Sequence, residues 1–208
     1  MFRLFVTGTG TDVGKTWVTA CIAETLRSRG WAVRALKPVA SGVLTGAGTD
    51  AIALGAAAGH PPPAGWTFTA PLSPHRAARR EGRRVALADV LTWITTEQGP
   101  ATLVEGAGGW EVPCDPDWRI SDLAAHLGWP VLVVVKNELG ALNLVLLTVD
   151  AIRRRGLRVA GVVLNAGTDE AASSNQEDLE ALLPGVPVAC LAAGSRDLVA
   201  LVDDLLAQ

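Results

Sequence analysis

Tyrosine is absent, methionine occurs once, and the 208 residues include only three phenylalanines, three histidines and three cysteines. Cys21, Cys114 and Cys190 lie far apart and form no CxxC pair, which excludes a disulfide framework and a thiolate metal site. They are expected to be buried apolar fillers in a reducing compartment. Charge is scarce too. Charged residues make up 19%, and 18 basic residues nearly balance 21 acidic ones, for a formal net charge of −3. The one local basic run is Arg76, Arg79, Arg80, Arg83 and Arg84, so no nucleic-acid partner is expected. No apolar run approaches the ~20 residues needed to cross a bilayer. The longest lie around Val131–Val135 and Leu142–Val149. The apolar start, Met1 to Val6, runs straight into Gly8 and Gly10 without a leader core or a small-residue cleavage site. A cytoplasmic protein with no membrane partner is the expectation.

What is present is a 49% hydrophobic share, enough to fill a substantial core, and a length suited to one α/β domain spanning residues 1–208. Short β-branched runs at Leu4–Val6, Val33–Leu36, Thr102–Val104, Val131–Val135, Val159–Leu164 and Val188–Cys190 read as strands. None alternates cleanly with polar residues, which predicts burial on both faces, as in parallel sheets. Between them run helical stripes. Val18, Cys21, Ile22, Thr25 and Leu26 form one, closed by Gly30. Leu142, Val145, Leu146, Val149 and Ile152 form a second, ending near Gly156. Leu198, Leu201, Val202, Leu205 and Leu206 form a third, with Ser195 as its expected N-cap. Strand–helix repetition of this kind implies right-handed crossovers onto a central parallel sheet flanked by helices. From His60 to His75, five prolines and little periodicity predict a surface excursion.

Three glycine- or lysine-bearing segments follow predicted strands. Gly8-Thr9-Gly10-Thr11-Asp12-Val13-Gly14-Lys15-Thr16 lies between a strand and a helix. Its glycines let backbone N–H groups turn toward phosphate oxygens, and the helix start adds positive potential. Lys15 would reach the terminal phosphates and the Thr16 hydroxyl would meet Mg²⁺. A strict phosphate-loop pattern requires glycine where this chain has Thr9. Lys37-Pro38-Val39-Ala40-Ser41-Gly42 follows the second strand, at the edge where open α/β sheets bind ligands. Alone, Lys37 reads first as an ordinary solvated loop lysine; beside a phosphate loop it supplies a second cation. Leu103-Val104-Glu105-Gly106-Ala107-Gly108-Gly109 places a carboxylate where phosphate-loop enzymes hold Mg²⁺, although a plain glycine turn fits the same letters. Asp50, opening a helix over Ala51–Ala58, is either a further acidic ligand or a residue that favours the helix dipole.

With Pro71-Leu72-Ser73-Pro74-His75, these segments stand in the order and spacing of the dethiobiotin synthetase family, which the chain resembles over most of its length and least after Asn165. Thr9 is shared with that family's phosphate loop. The resemblance implies a P-loop NTPase fold and a ligase that forms C–N bonds in biotin biosynthesis. Its reaction takes 7,8-diaminononanoate, CO₂ and ATP, with Mg²⁺, to dethiobiotin, ADP and phosphate, through a carbamate and a carbamic–phosphoric anhydride. It also implies catalytic roles for Lys37, Lys15 and Thr11, and a metal held by Thr16, Asp50 and Glu105. ATP contacts are implied for Asp12, Val13, Gly14, Lys15, Thr16, Trp17, Asp50, Glu105, Gly106, Ala107, Gly108 and Asn165, the last reading adenine. Ser41 falls near the carbamate. Leu139, Gly140, Ala141, Leu142 and Asn143 resemble the segment that receives the substrate carboxylate across a homodimer interface. His75 has no chemical role in this reading and is expected to shape a turn. Trp110 either lines the substrate groove or packs in the core. The stretch Pro184–Ala193 departs from the family's adenine-side pattern.

Two other readings share the fold class. A partner-regulated switch ATPase of the partitioning type usually carries an extra lysine ahead of the loop glycines, which this loop lacks. An amidotransferase-type synthetase of the cobyrinate kind needs a further glutaminase domain, for which 208 residues leave no room.

Overall fold

The computed structural model describes residues 1–62, 65–167 and 169–208. Among the described residues, ten strands and eight α-helices follow one another in the order β1 (Phe2–Gly8), α1 (Lys15–Ser28), β2 (Val33–Leu36), β3 (Val39–Ser41), α2 (Thr49–Ala58), β4 (Trp66–Phe68), α3 (Pro74–Arg80), α4 (Leu87–Glu97) and β5 (Ala101–Glu105). The chain continues with β6 (Pro113–Asp115), β7 (Trp118–Arg119), α5 (Ile120–Leu127), β8 (Val131–Lys136), α6 (Ala141–Arg154), β9 (Val159–Asn165), α7 (Asn175–Leu182), β10 (Val188–Leu191) and α8 (Val199–Ala207). Six strands form one sheet in the order β10-β9-β8-β1-β5-β2, every pair parallel. All six runs read as strands lie in it.

The lack of alternation has its cause in two cores, one on each face. Along β1, Leu4 and Val6 pack with α1, α2 and α8, whereas Phe5 points to the other face with α3 through α7. A strand that feeds both cores needs apolar residues at every position. Each fully buried Leu, Ile or Phe side chain contributes about 1.5–3 kcal/mol relative to exposure, and Phe5, Ile22, Leu103 and Leu132 are all buried in this way. Among the described residues, no helix is long and apolar enough to cross a membrane.

Local expectations differ from the structure at four places. The His60–His75 segment, of which residues 63 and 64 lie outside the described residues, is no mere surface excursion. Its β4 pairs in parallel with β3, and Phe68 is buried; a three-residue strand is too short to show a period. His75 stands in the first turn of α3, after Pro74 at the helix start, rather than in a turn of its own. Ser195 does not cap α8, which starts at Val199. Its carbonyl instead accepts from Trp17 Nε1 at 2.9 Å, while Asp197 Oδ1 accepts from the Val199 N–H at 3.2 Å. Cys21 and Cys114 are buried, but Cys190 is exposed, because β10 is the outermost strand of the sheet.

A tie outside the sheet has a consequence for acid stability. The Arg84 guanidinium bridges the buried Asp115 and the exposed Asp117, with Nε 3.1 Å from Asp115 Oδ2. Hydrogen bonding to Arg84 holds the Asp115 carboxyl below the usual carboxylate range. A depressed folded value contributes stability that is present above the unfolded value, ~3.9, and is lost as pH falls through the folded one. Arg84→Ala is therefore expected to lower the melting temperature at neutral pH and to flatten its decline in acid. Parallel melting profiles for wild type and variant across pH would count against this origin.

Candidate active site

The parallel strands end together on one side of the sheet, and the loops after β1, β2 and β5 meet there. The first, from Gly8 to Thr16, leaves β1 and enters α1. Asp12 (φ 58°) and Gly14 (φ 93°) adopt left-handed backbone, which aspartate tolerates and glycine adopts without strain. A Cβ on Gly14 would sit 2.0 Å from Asn165 Nδ2, so this position has neither the conformation nor the space for a side chain. Lys15 folds back over the loop and donates to the Gly10 carbonyl at 2.7 Å. Burial, then the neighbouring charge of Lys37, pulls its ammonium down to about 8. Phosphate oxygens placed at the loop would favour its charged form.

The second and third loops put opposite charges in contact. Lys37, directly after β2, lies beside Glu105 at the end of β5 because those strands are neighbours. Its Nζ stands 2.5 Å from Glu105 Oε1, 3.0 Å from Asp50 Oδ2 and 3.2 Å from the Gly106 carbonyl. Burial opposes the charge, yet Glu105 and Asp50 outweigh it and hold the Lys37 ammonium above its ordinary value. Thr16 Oγ1, in the first turn of α1, donates to the same Glu105 oxygen at 2.8 Å. Glu105 is fully buried, and its other oxygen, Oε2, has no hydrogen-bond partner.

The glycine loop after Glu105 closes onto the phosphate loop. A Cβ on Gly109 would stand 3.3 Å from the Thr9 carbonyl, and one on Gly108 (φ 62°) would stand 2.8 Å from Val112 Cγ2. These loops, with Pro71–Pro74 opposite, enclose a cleft of about 630 Å³. Its two cations and its carboxylates suit a polyanion carried with a hard cation. Two carboxylates and a hydroxyl within one small volume, with a buried carboxylate oxygen unpartnered, fit Mg²⁺, which takes oxygen ligands and keeps several waters.

An AAA domain family matches residues 3–196. The ATP-dependent dethiobiotin synthetase BioD of Anaeromyxobacter dehalogenans (strain 2CP-C) is 46% identical over 171 residues, covering 79% of this chain and 77% of that protein. Its counterpart in Ralstonia nicotianae is 39% identical over 97% of both chains. This chain belongs to the dethiobiotin synthetase family. Solved structures at greater distance share the fold alone. The septum site-determining protein MinD from Pyrococcus horikoshii, complexed with Mg-ADP, gives a TM-score of 0.55 at 16% identity, covering 98% of this chain and 94% of that one. The signal recognition particle receptor FtsY from Elizabethkingia anophelis gives 0.54 at 13% identity, covering 100% and 64%.

Of the residues that the dethiobiotin synthetase resemblance singles out, the cleft gathers Thr11, Asp12, Gly14, Lys15, Thr16, Lys37, Ser41, Asp50, Glu105, Ala107 and Gly108. Gly106 meets it through the carbonyl that Lys37 contacts. Val13 is buried beneath the loop, near Gly8. Asn165, at the end of β9, lies to one side and donates from Nδ2 to the Val13 carbonyl at 3.0 Å. Trp17 faces the C-terminal segment, with the Arg196 guanidinium 4.3 Å over its ring. Leu139 to Asn143 form the start of α6, outside the cleft, and Leu139 is 85% exposed. Trp110 is in the core and does not line the cleft. Val112 and the Pro71–Pro74 wall do line it. They carry no ionisable group, so residue chemistry alone does not mark them.

Proposed function

We propose that this protein, acting as one catalytic domain over its whole length, closes a cyclic urea. The overall reaction converts 7,8-diaminononanoate, CO₂ and ATP to dethiobiotin, ADP and phosphate in the cytoplasm. The observation that carries this reading is the convergence of Lys15, Lys37, Thr16, Asp50 and Glu105 on one cleft, in a member of the dethiobiotin synthetase family.

The first step forms a C–N bond between one substrate amine and CO₂, giving a carbamate and releasing a proton. A carbamate oxygen then attacks the γ-phosphorus of ATP and the bond to ADP breaks. That oxygen is a weak nucleophile approaching a polyanion, so positive charge is needed where negative charge accumulates. Lys15 supplies it from the phosphate loop and Lys37 from the end of β2 beside that loop. Thr16, Asp50 and Glu105 would hold Mg²⁺, which when bound neutralises phosphate charge. Thr11 and Ser41 offer hydroxyls at the cleft for the carbamate and the transferred group. In the last step the second amine attacks the activated carbon, phosphate leaves, and the five-membered ring closes with loss of a proton. Asn165 keeps one amide oxygen for the exocyclic amine of adenine, since its nitrogen already faces the Val13 carbonyl.

The position of Leu139–Asn143 outside the cleft supports a homodimer in which this helix start receives a partner's substrate carboxylate. Leu139, Leu144 and Leu147 are 85%, 44% and 62% exposed, an apolar strip suited to a second copy. Leu147→Glu is expected to elute as a monomer on gel filtration. Its KM for the diamine should rise by about tenfold or more, the factor that ~1.4 kcal/mol of lost binding gives, with ATP affinity retained. A variant that stays dimeric would move the interface elsewhere.

Phosphate release from Mg·ATP and bicarbonate, with and without the diamine, tests the reaction. Equal amounts of phosphate and dethiobiotin, both dependent on the diamine, are expected. Phosphate release indifferent to the diamine would overturn the reading.

A further inference from the structure

The Lys37 ammonium has three oxygens around it: it donates to Glu105 and to the Gly106 carbonyl, and pairs with the Asp50 carboxylate. Two of those oxygens belong to the carboxylates suited to a divalent cation. The third protein group of that set, the Thr16 hydroxyl, shares Glu105 Oε1 with the lysine. Lys37 and a metal ion therefore compete for the same carboxylates. The lysine side chain is 5% exposed, so water does little to screen the repulsion a second cation would meet.

We propose that Lys37 is an internal stand-in cation, which keeps the metal position closed until nucleotide arrives. Bare metal would have to enter beside a buried ammonium and gains little. A metal–nucleotide complex brings phosphate oxygens that offer Lys37 a new partner, so the lysine leaves Glu105 and Asp50 as the metal takes them. One exchange then fills the metal position and delivers Lys37 to the phosphoryl group. Because binding couplings are reciprocal, nucleotide raises metal affinity as much as metal raises nucleotide affinity. The inference rests on the reading above only in assigning a divalent cation to Thr16, Asp50 and Glu105.

The probe is Mn²⁺ alone, titrated into nucleotide-free wild type and Lys37→Met and followed by the electron paramagnetic resonance of free Mn²⁺. Lys37→Met keeps the apolar stem and removes the charge. It is expected to bind Mn²⁺ at least about tenfold more tightly than wild type, within the usual range of coupling between sites. Circular dichroism melts should show Mn²⁺ raising the variant's melting temperature more than that of wild type. A variant that folds only with Mn²⁺ present also supports the exchange, since metal has then replaced the lysine. Equal Mn²⁺ affinity, tighter binding by wild type, or a variant that Mn²⁺ cannot fold would overturn it. The diamine is absent from every arm, so this outcome is independent of whether wild type makes dethiobiotin.

Discussion

Lys37→Ala is expected to lower turnover by about 10²–10³-fold, the loss typical of removing one preorganised charge or donor from a developing anion, while Mg·ADP still binds. The lysine lies beside the phosphate loop, not in it, sharing Glu105 Oε1 with Thr16, and the loop's backbone, Lys15 and helix start hold the nucleotide without it. Its value is greatest where the γ-phosphoryl group carries charge between two oxygens, a condition met only during transfer. An interaction that is stronger in the transition state than in the bound nucleotide lowers kcat as well as kcat/KM. Calorimetric Mg·ADP binding beside single-turnover phosphate release would separate the two effects. A large loss of ADP affinity with turnover intact at saturation would place Lys37 in ground-state binding and contradict the assignment. The structure adds a second constraint. Alanine leaves Glu105 buried without its ammonium partner, and breaking one side of a buried pair is strongly destabilising, by about 3–5 kcal/mol. The assay therefore belongs well below the variant's melting temperature.

The phosphate loop is legible in sequence because everything it needs is local: a strand, glycines, a lysine, a hydroxyl and a helix start within about a dozen residues. The six sheet strands are legible for a related reason, since two-sided burial leaves continuous apolar runs. The meeting of Lys37 with Glu105 is legible only in part. Each follows a strand, but 68 positions separate them, and their contact depends on β5 lying next to β2, a strand order that periodicity does not encode. The paired strands β3–β4 and β6–β7 leave no period because each has two or three residues. Ser195 misleads for a physical reason as well. A serine ahead of an apolar stripe resembles an N-cap, yet its neighbourhood makes a turn first, and Asp197 takes the α8 N–H.

Glu105→Gln is expected to raise the Mg²⁺ concentration for half-maximal phosphate release by about 10–100-fold, the range for disturbing a metal's supporting groups, with loss of a direct ligand at its upper end. An amide offers one neutral oxygen where the carboxylate offers two charged ones, and the unpartnered Oε2 is lost to the metal. The same change strips Lys37 of its nearest counter-charge and leaves Asp50 as the carboxylate beside it, so the variant should also melt lower. These two losses have different origins and can be separated. Adding Lys37→Met to Glu105→Gln removes the orphaned ammonium, so melting temperature should recover relative to Glu105→Gln alone. The Mg²⁺ requirement for nucleotide binding should recover only by the competition that Lys37 exerts on Asp50, because the missing ligand is still missing. If the double variant regained full wild-type Mg²⁺ affinity, the weakness of Glu105→Gln would stem from the displaced lysine and not from a lost metal contact. An Mg²⁺ titration unchanged in Glu105→Gln itself would remove Glu105 from the metal position, and Thr16 and Asp50 would then be too few to hold the ion without most of its ligands coming from phosphate and water.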